Sequence, residues 1–202
     1  MSEQERKETC QETQEAGASY PLVALKNMVV FPRTRMTLAI AREKSMRAVE
    51  EAMLQPNHWL VVASQRDPDI DDPQAPDIYV VGTLVEIMTM HNQQDGSLQV
   101  LFNGLHRVHL DEYLETDPYI RVSIDIPEET AQEGSQVDAM VRHATSLFER
   151  YAQLNRRSSA EDISSIVVLK TAIRLSDMLA AHLVTDALQQ QDLLETLDPL
   201  AR

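Results

Sequence analysis

The sequence predicts an α+β chain, a β-rich unit followed by a helical one, and three observations carry that expectation. Between Tyr20 and Ile126 the apolar residues come in short, β-branched runs closed by turn residues, the signature of strands. Beyond Gly134 the period becomes that of amphipathic helices and stays so. No glycine or proline interrupts residues 135–198, so nothing there breaks a helix. Strands in one stretch and helices in the next build a layered α+β fold.

In the first unit, residues 22–25, 28–31 and 36–40 are three strand-like runs, and Pro32 closes the second because it cannot donate to a sheet ladder. Residues 42–54 switch period. Met46, Val49 and Met53 fall at helical spacing while Glu50 and Glu51 point away, which predicts a short amphipathic helix stopped at Pro56. Residues 59–63 are apolar throughout, as in a strand buried on both faces. Residues 78–90 read as a long strand with a bulge or bend at Gly82. Asp95-Gly96 is a turn signal in a hairpin loop leading to 98–102, and 105–114 continues as strand. Ile120, Val122, Ile124 and Ile126 alternate with polar residues, so one face of that strand is core and the other solvent.

The expected organisation is an acidic, disordered tail over 1–19, the β-rich unit over 20–126, a polar linker over 127–134 and a helical unit over 135–202. In the last, Val141, Ala144 and Phe148 mark one face of a long helix. Ser158 and Glu161 have capping-box spacing ahead of a second helix, and 175–183 and 186–197 repeat the period. Met46, Met53, Met140 and Met178 fall on these helix stripes and are expected in the core.

Composition excludes several function classes. The 202 residues are 43% hydrophobic and 25% charged, which is a globular balance. The longest apolar run, 59–63, is far short of the roughly 20 residues of a membrane span. Cys10, the single cysteine, rules out an internal disulfide and a cysteine zinc cage. None of the five glycines precedes a lysine, so there is no P-loop. A formal charge of −14 opposes nucleic-acid binding, which rests on clustered Lys and Arg. Most of that charge lies in residues 20–134, where eighteen acids face nine bases.

The aspartates of 67–77 fail as a calcium loop, because Asp72 stands where glycine is needed and Ile78 where glutamate is needed. His106 and His109 are three apart on a strand and point to opposite faces, so they share no metal. His58, His91, His143 and His182 stand alone, and Cys10 has no base fixed beside it. No residue qualifies as catalytic, and no metal or cofactor ligand is assigned.

Several segments together carry a family resemblance. Residues 21–32 (PLVALKNMVVFP) and 42–53 (REKSMRAVEEAM) resemble the opening strand pair and first helix of the N-terminal domain of Lon, the ATP-dependent bacterial protease. The acidic run 67–73, then 78–83 (IYVVGT), Asp95-Gly96, and Gly104 ahead of Arg107 are similar in the same order. Residues 193–198 (LLETLD) resemble the helix leading toward the ATPase module. Asn103 stands where an acid is common, and Arg174-Leu-Ser-Asp177 follows the usual helical motif loosely.

The resemblance implies a PUA-like β-rich pseudo-barrel with one short helix, followed by an α-helical bundle. It implies a non-catalytic domain that recognises unfolded or damaged polypeptides and supports assembly of a cytoplasmic, hexameric serine protease. ATP and Mg would belong only to an ATPase module beyond Arg202, and no nucleic acid or membrane partner is expected. The alternative is a stand-alone Lon-type adaptor without a protease on the same chain.

Capture of varied unfolded segments needs exposed, adaptable apolar surface, and methionine supplies it. Met88 and Met90 share a strand face with Glu86 beside a polar hairpin, and Met36 follows the basic Arg33-Thr-Arg35 next to Pro32. Pro32, Met36, Met88 and Met90 are therefore the expected substrate-binding residues.

Overall fold

A computed structural model describes residues 19–129, 134–154 and 171–202. The acidic tail through residue 18, with Cys10, lies outside the described residues, as does the helix expected after Ser158. The elements in order are β1 (Ser19–Leu25), β2 (Arg35–Ile40), α1 (Glu43–Leu54), β3 (Trp59–Ser64), a 3-10 turn (Ala75–Asp77), β4 (Val81–Asn92), β5 (Leu98–Glu115) and β6 (Ile120–Asp125). Three helices follow: α2 (Ser135–Leu154), α3 (Ala172–Leu183) and α4 (Ala187–Glu195).

The sheet runs β2-β5-β4-β3-β1-β6, and an added β5–β6 pairing closes five of its strands into a ring. β1 is parallel to β3, with Leu22 opposite Val61, and antiparallel to β6, with Leu22 opposite Ile120. β5 is 18 residues long and serves two partners. Its first part pairs with β2, Met36 opposite Phe102, and its later part with β6, Leu110 opposite Ile124. The two runs read separately as 98–102 and 105–114 are this one strand, continuous through Gly104.

Two cores lie on opposite faces of the central strands. One joins Val23, Leu60, Val62, Val85 and Phe102 to Ala48, Val49 and Ala52 of α1. The other gathers Leu22, Val61, Leu84, Val108 and Val122. Successive residues of β3 alternate between them, which is why 59–63 is apolar at every position. α1 turns toward the sheet on Ser45, Ala48, Val49 and Ala52, rather than centring on Met46, Val49 and Met53. The two alanines let the helix approach β1 closely, and the longer methionines pack along its flanks.

Three expectations are corrected. Residues 28–31 are not a strand, although Val29, Val30 and Phe31 are buried. Hydroxyl groups replace the ladder: Ser64 Oγ donates to the Met28 carbonyl at 2.5 Å, Thr83 Oγ1 to Val30 at 2.5 Å and Thr34 Oγ1 to Phe31 at 2.7 Å.

Gly82 is not the bulge either. It pairs regularly with Val108, and the register shifts fall between Leu84 and Val85 and between Ile87 and Thr89. A Cβ at Gly82 would lie 2.5 Å from the Val62 carbonyl oxygen, so the glycine serves close approach instead. Met140, expected in the core, is half exposed on α2.

Gly104 has the stricter requirement. Its backbone N–H donates to Thr34 O at 2.8 Å and its carbonyl accepts from Arg33 N at 2.8 Å. An added Cβ would overlap the Phe31 carbonyl and press on Pro32 Cα. The helices pack on this same loop. Val29 and Phe31 meet Ala180 of α3 and Leu194 of α4, and Gln191 Nε2 donates to Val81 O at 3.0 Å. Gly104→Ala is expected to destabilise the fold by about 2–3 kcal/mol in urea unfolding, because backbone rather than a flexible side chain must yield. A change within about 0.5 kcal/mol would mean that the 28–34 loop retreats freely.

Candidate functional site

The four expected binding residues do not form one exposed patch. Pro32 is buried against Gly104. Met36 and Met90 are partly buried and pack on the core that includes α1. They flank β5 on the same face, with Met36 opposite Phe102 and Met90 opposite Val100. Met88 is 44% exposed. It is the residue skipped where the β4–β5 register shifts between Ile87 and Thr89. That extra residue breaks the alternation after Ile87, and the two methionines differ in burial, Met88 being exposed and Met90 partly buried against the core.

Two residues before Met88, Glu86 accepts from Asn103 Nδ2 at 3.5 Å and pairs across from Trp59. Trp59 is partly buried, with the Tyr20 ring tilted by 42° against it at a centroid separation of 6.4 Å. Trp59 on β3 and Glu86 on β4 are thus cross-strand neighbours, and the exposed Met88 follows on β4.

A second apolar feature lies in the helical unit. A cavity of about 330 Å³ opens among α2, α3, α4 and the C-terminal segment, lined by Met140, Leu175, Leu179, Leu183 and Leu193 among others. Phe148 and Leu175 form the small core beside it. Residues 155–170, between α2 and α3, lie outside the described residues.

The strongest electrostatic feature was invisible in the sequence. Arg107 on β5 projects away from the Val108–Leu110 core and is 2% exposed. Its Nη2 donates to Asp177 Oδ1 of α3 at 3.1 Å, its Nη1 to Glu129 and its Nε to the Leu194 carbonyl. Arg202 also donates to Asp177, and to Thr196 O at 2.7 Å. Arg33 completes the group, 3.4 Å from Asp177.

Three guanidiniums thus surround two carboxylates where barrel, linker and helices meet. Burial pulls the Arg107 guanidinium down to about 10, against the raising effect of Asp177, so it stays charged at neutral pH. Burial and the charge of Arg33 hold His106 below its ordinary value, which leaves its ring neutral at pH 7. Glu129, read as part of a solvated linker, is an inward-facing partner of this cluster.

The acidic 67–77 loop is pinned rather than free. Lys26 binds Asp71 at 2.8 Å and Lys44 binds Asp72 at 2.9 Å. The Lys26 hydrogen bond holds the Asp71 carboxyl below the usual carboxylate range. Among the described residues, no group of three or more His, Cys, Asp or Glu is placed to hold a metal. No described helix is long and apolar enough to cross a membrane.

Breaking the cluster should cost according to the charge left behind. Asp177→Asn leaves three guanidiniums on one carboxylate and is expected to cost about 3–5 kcal/mol in urea unfolding. Arg107→Met leaves two of each charge and is expected to cost less, about 1–3 kcal/mol. The reverse order would contradict the charge account.

Residues 19–202 match the model of the ATP-dependent protease La (LON) substrate-binding domain. The chain is 35% identical over 184 residues to Lon protease of Desulforamulus reducens, covering 91% of this chain and 23% of that protein. It is 32% identical over 185 residues to Lon protease 1 of Bacillus subtilis, covering 92% of this chain and 24% of that one. The chain thus spans about a quarter of the length of these curated relatives. The N-terminal domain of Mycobacterium avium complex Lon protease superposes with a TM-score of 0.73 at 18% identity, covering 91% of this chain and 93% of that one. The Xanthomonas campestris Lon N-terminal domain protein gives 0.64 at 18%, covering 90% and 92%. At that identity the two structures speak for the fold alone.

Proposed function

The chain belongs to the Lon protease substrate-binding domain family, and from that membership we propose that it captures unfolded or damaged polypeptides for an ATP-dependent serine protease. The observation that carries this reading is the family match, which runs through barrel and helices alike, residues 19–202. The chain itself holds substrate and performs no chemistry. ATP and Mg act in an ATPase module, peptide hydrolysis in a protease module, and the working assembly is a cytoplasmic hexamer.

Met88 supplies the adaptable contact of the capture surface. Met36 and Met90, partly buried on either side of β5, contribute their exposed edges. Pro32 supports the surface from beneath. The acidic excess of residues 20–134 attracts basic segments of a substrate.

Fluorescence anisotropy with a permanently unfolded, labelled model protein tests this reading. The wild-type chain is expected to bind, and the binding of basic substrates is expected to weaken as salt rises. Met88→Ser is expected to weaken binding about fivefold while leaving thermal unfolding unchanged, because a half-exposed methionine contributes little to the core. Failure of the wild type to bind any unfolded protein overturns the proposal. Equal binding by Met88→Ser removes Met88 from the surface.

A further inference from the structure

Among the described residues the sheet has an open side: β2 has one neighbour, β5, while β1, β3, β4, β5 and β6 each have two or more. Natural edges are usually blunted by proline, bulges, inward charges or very short length. β2 shows none of the first three: its sequence is Arg-Met-Thr-Leu-Ala-Ile, its β5 register runs without a shift, and its one charge is at the first position.

The direction of its free groups follows from the backbone. Gly104 N donates to Thr34 O across β5, and the same register continues through Arg35 opposite Asn103. Backbone groups alternate sides along a strand. Met36, Leu38 and Ile40 therefore address β5, while Arg35, Thr37 and Ala39 turn their N–H and C=O outward. Those three residues are exposed, Met36 is half-buried, and Leu38 and Ile40 are buried.

We propose that the open edge of β2 takes an extended segment of unfolded polypeptide as an additional strand. The inference rests on the capture function above and names its mode. Main-chain hydrogen bonds to Thr37 and Ala39 give affinity for any extended backbone, which suits a domain that must accept many sequences. Alternate side chains of the added strand lie beside Met36, where an apolar residue gains burial. The others lie beside Thr37 and Ala39 in water. The fitting segment alternates apolar and polar residues, and basic ones suit the eighteen acids against nine bases of residues 20–134.

A short alternating valine–lysine peptide and its twin, N-methylated at alternate residues, test the mode directly. The twin keeps the side chains and loses the backbone donors. The wild-type chain is expected to bind the plain peptide at least about fivefold more tightly than the twin. Amide exchange at Thr37 and Ala39, followed by NMR, is expected to slow on binding, with Met36 and Leu38 unchanged. Thr37→Pro removes an outward N–H without touching the β5 ladder and is expected to weaken binding by a similar factor.

Equal affinity for the two peptides overturns the inference whether or not Thr37→Pro folds. So does edge protection that appears without peptide and grows with protein concentration, which would assign the edge to a second copy of the chain. If the wild type binds unfolded protein but not through this edge, the capture function stands and only its mode falls. If it binds no unfolded polypeptide, both fall.

Discussion

The ion cluster around Asp177 is the constraint on which the arrangement of the molecule depends. A carboxylate with no exposed side-chain surface sits on α3 and receives Arg107 from the barrel and Arg202 from the C-terminal segment. Burying such charges adds little net stability, because desolvation offsets most of the attraction. Removing one partner is costly, however, so the cluster tolerates only the arrangement in which all its members meet. It selects a geometry more than it strengthens one. Arg107 also binds the Leu194 carbonyl and Glu129, so strand β5, the segment after β6 and helices α3 and α4 are held at one point.

The loop at 28–34 brings the two units within reach of that point. Its apolar residues look both ways: Val30 enters the barrel core, while Val29 and Phe31 receive α3 and α4. A buried loop is stable only if its carbonyls find donors, and Ser64, Thr83 and Thr34 provide them. Gly104 permits the close passage of the loop beside β5 and ties it there through both backbone groups. Arg33, at the end of the loop, then reaches Asp177. Barrel, loop and helices form a continuous scaffold beside the open edge of β2 and the exposed Met88.

What was legible in the sequence was local. The alternation of 120–126 and the helical period of 42–54 each follow from neighbours a few residues apart, and both elements form. The family's segments, quoted in order, identified the fold because the set is specific where each member is weak. What was not legible depends on distant partners. Residues 28–31 look like a strand until the hydroxyls that replace its ladder are known. Met88 and Met90 look equivalent until a register shift leaves Met88 out of the pairing and exposed while Met90 rests on the core. The burial of Arg107 is not legible either, because Asp177, 70 residues away, cannot be paired with it by spacing.

Native-state hydrogen exchange across a series of low denaturant concentrations tests most directly whether barrel and helices are one latched body. If the Asp177 cluster joins them, the slowest amides of β5 around Arg107 and of α3 around Asp177 share one opening free energy and one denaturant dependence. Separate opening of α3, at a free energy several kcal/mol below that of β5, would contradict the account.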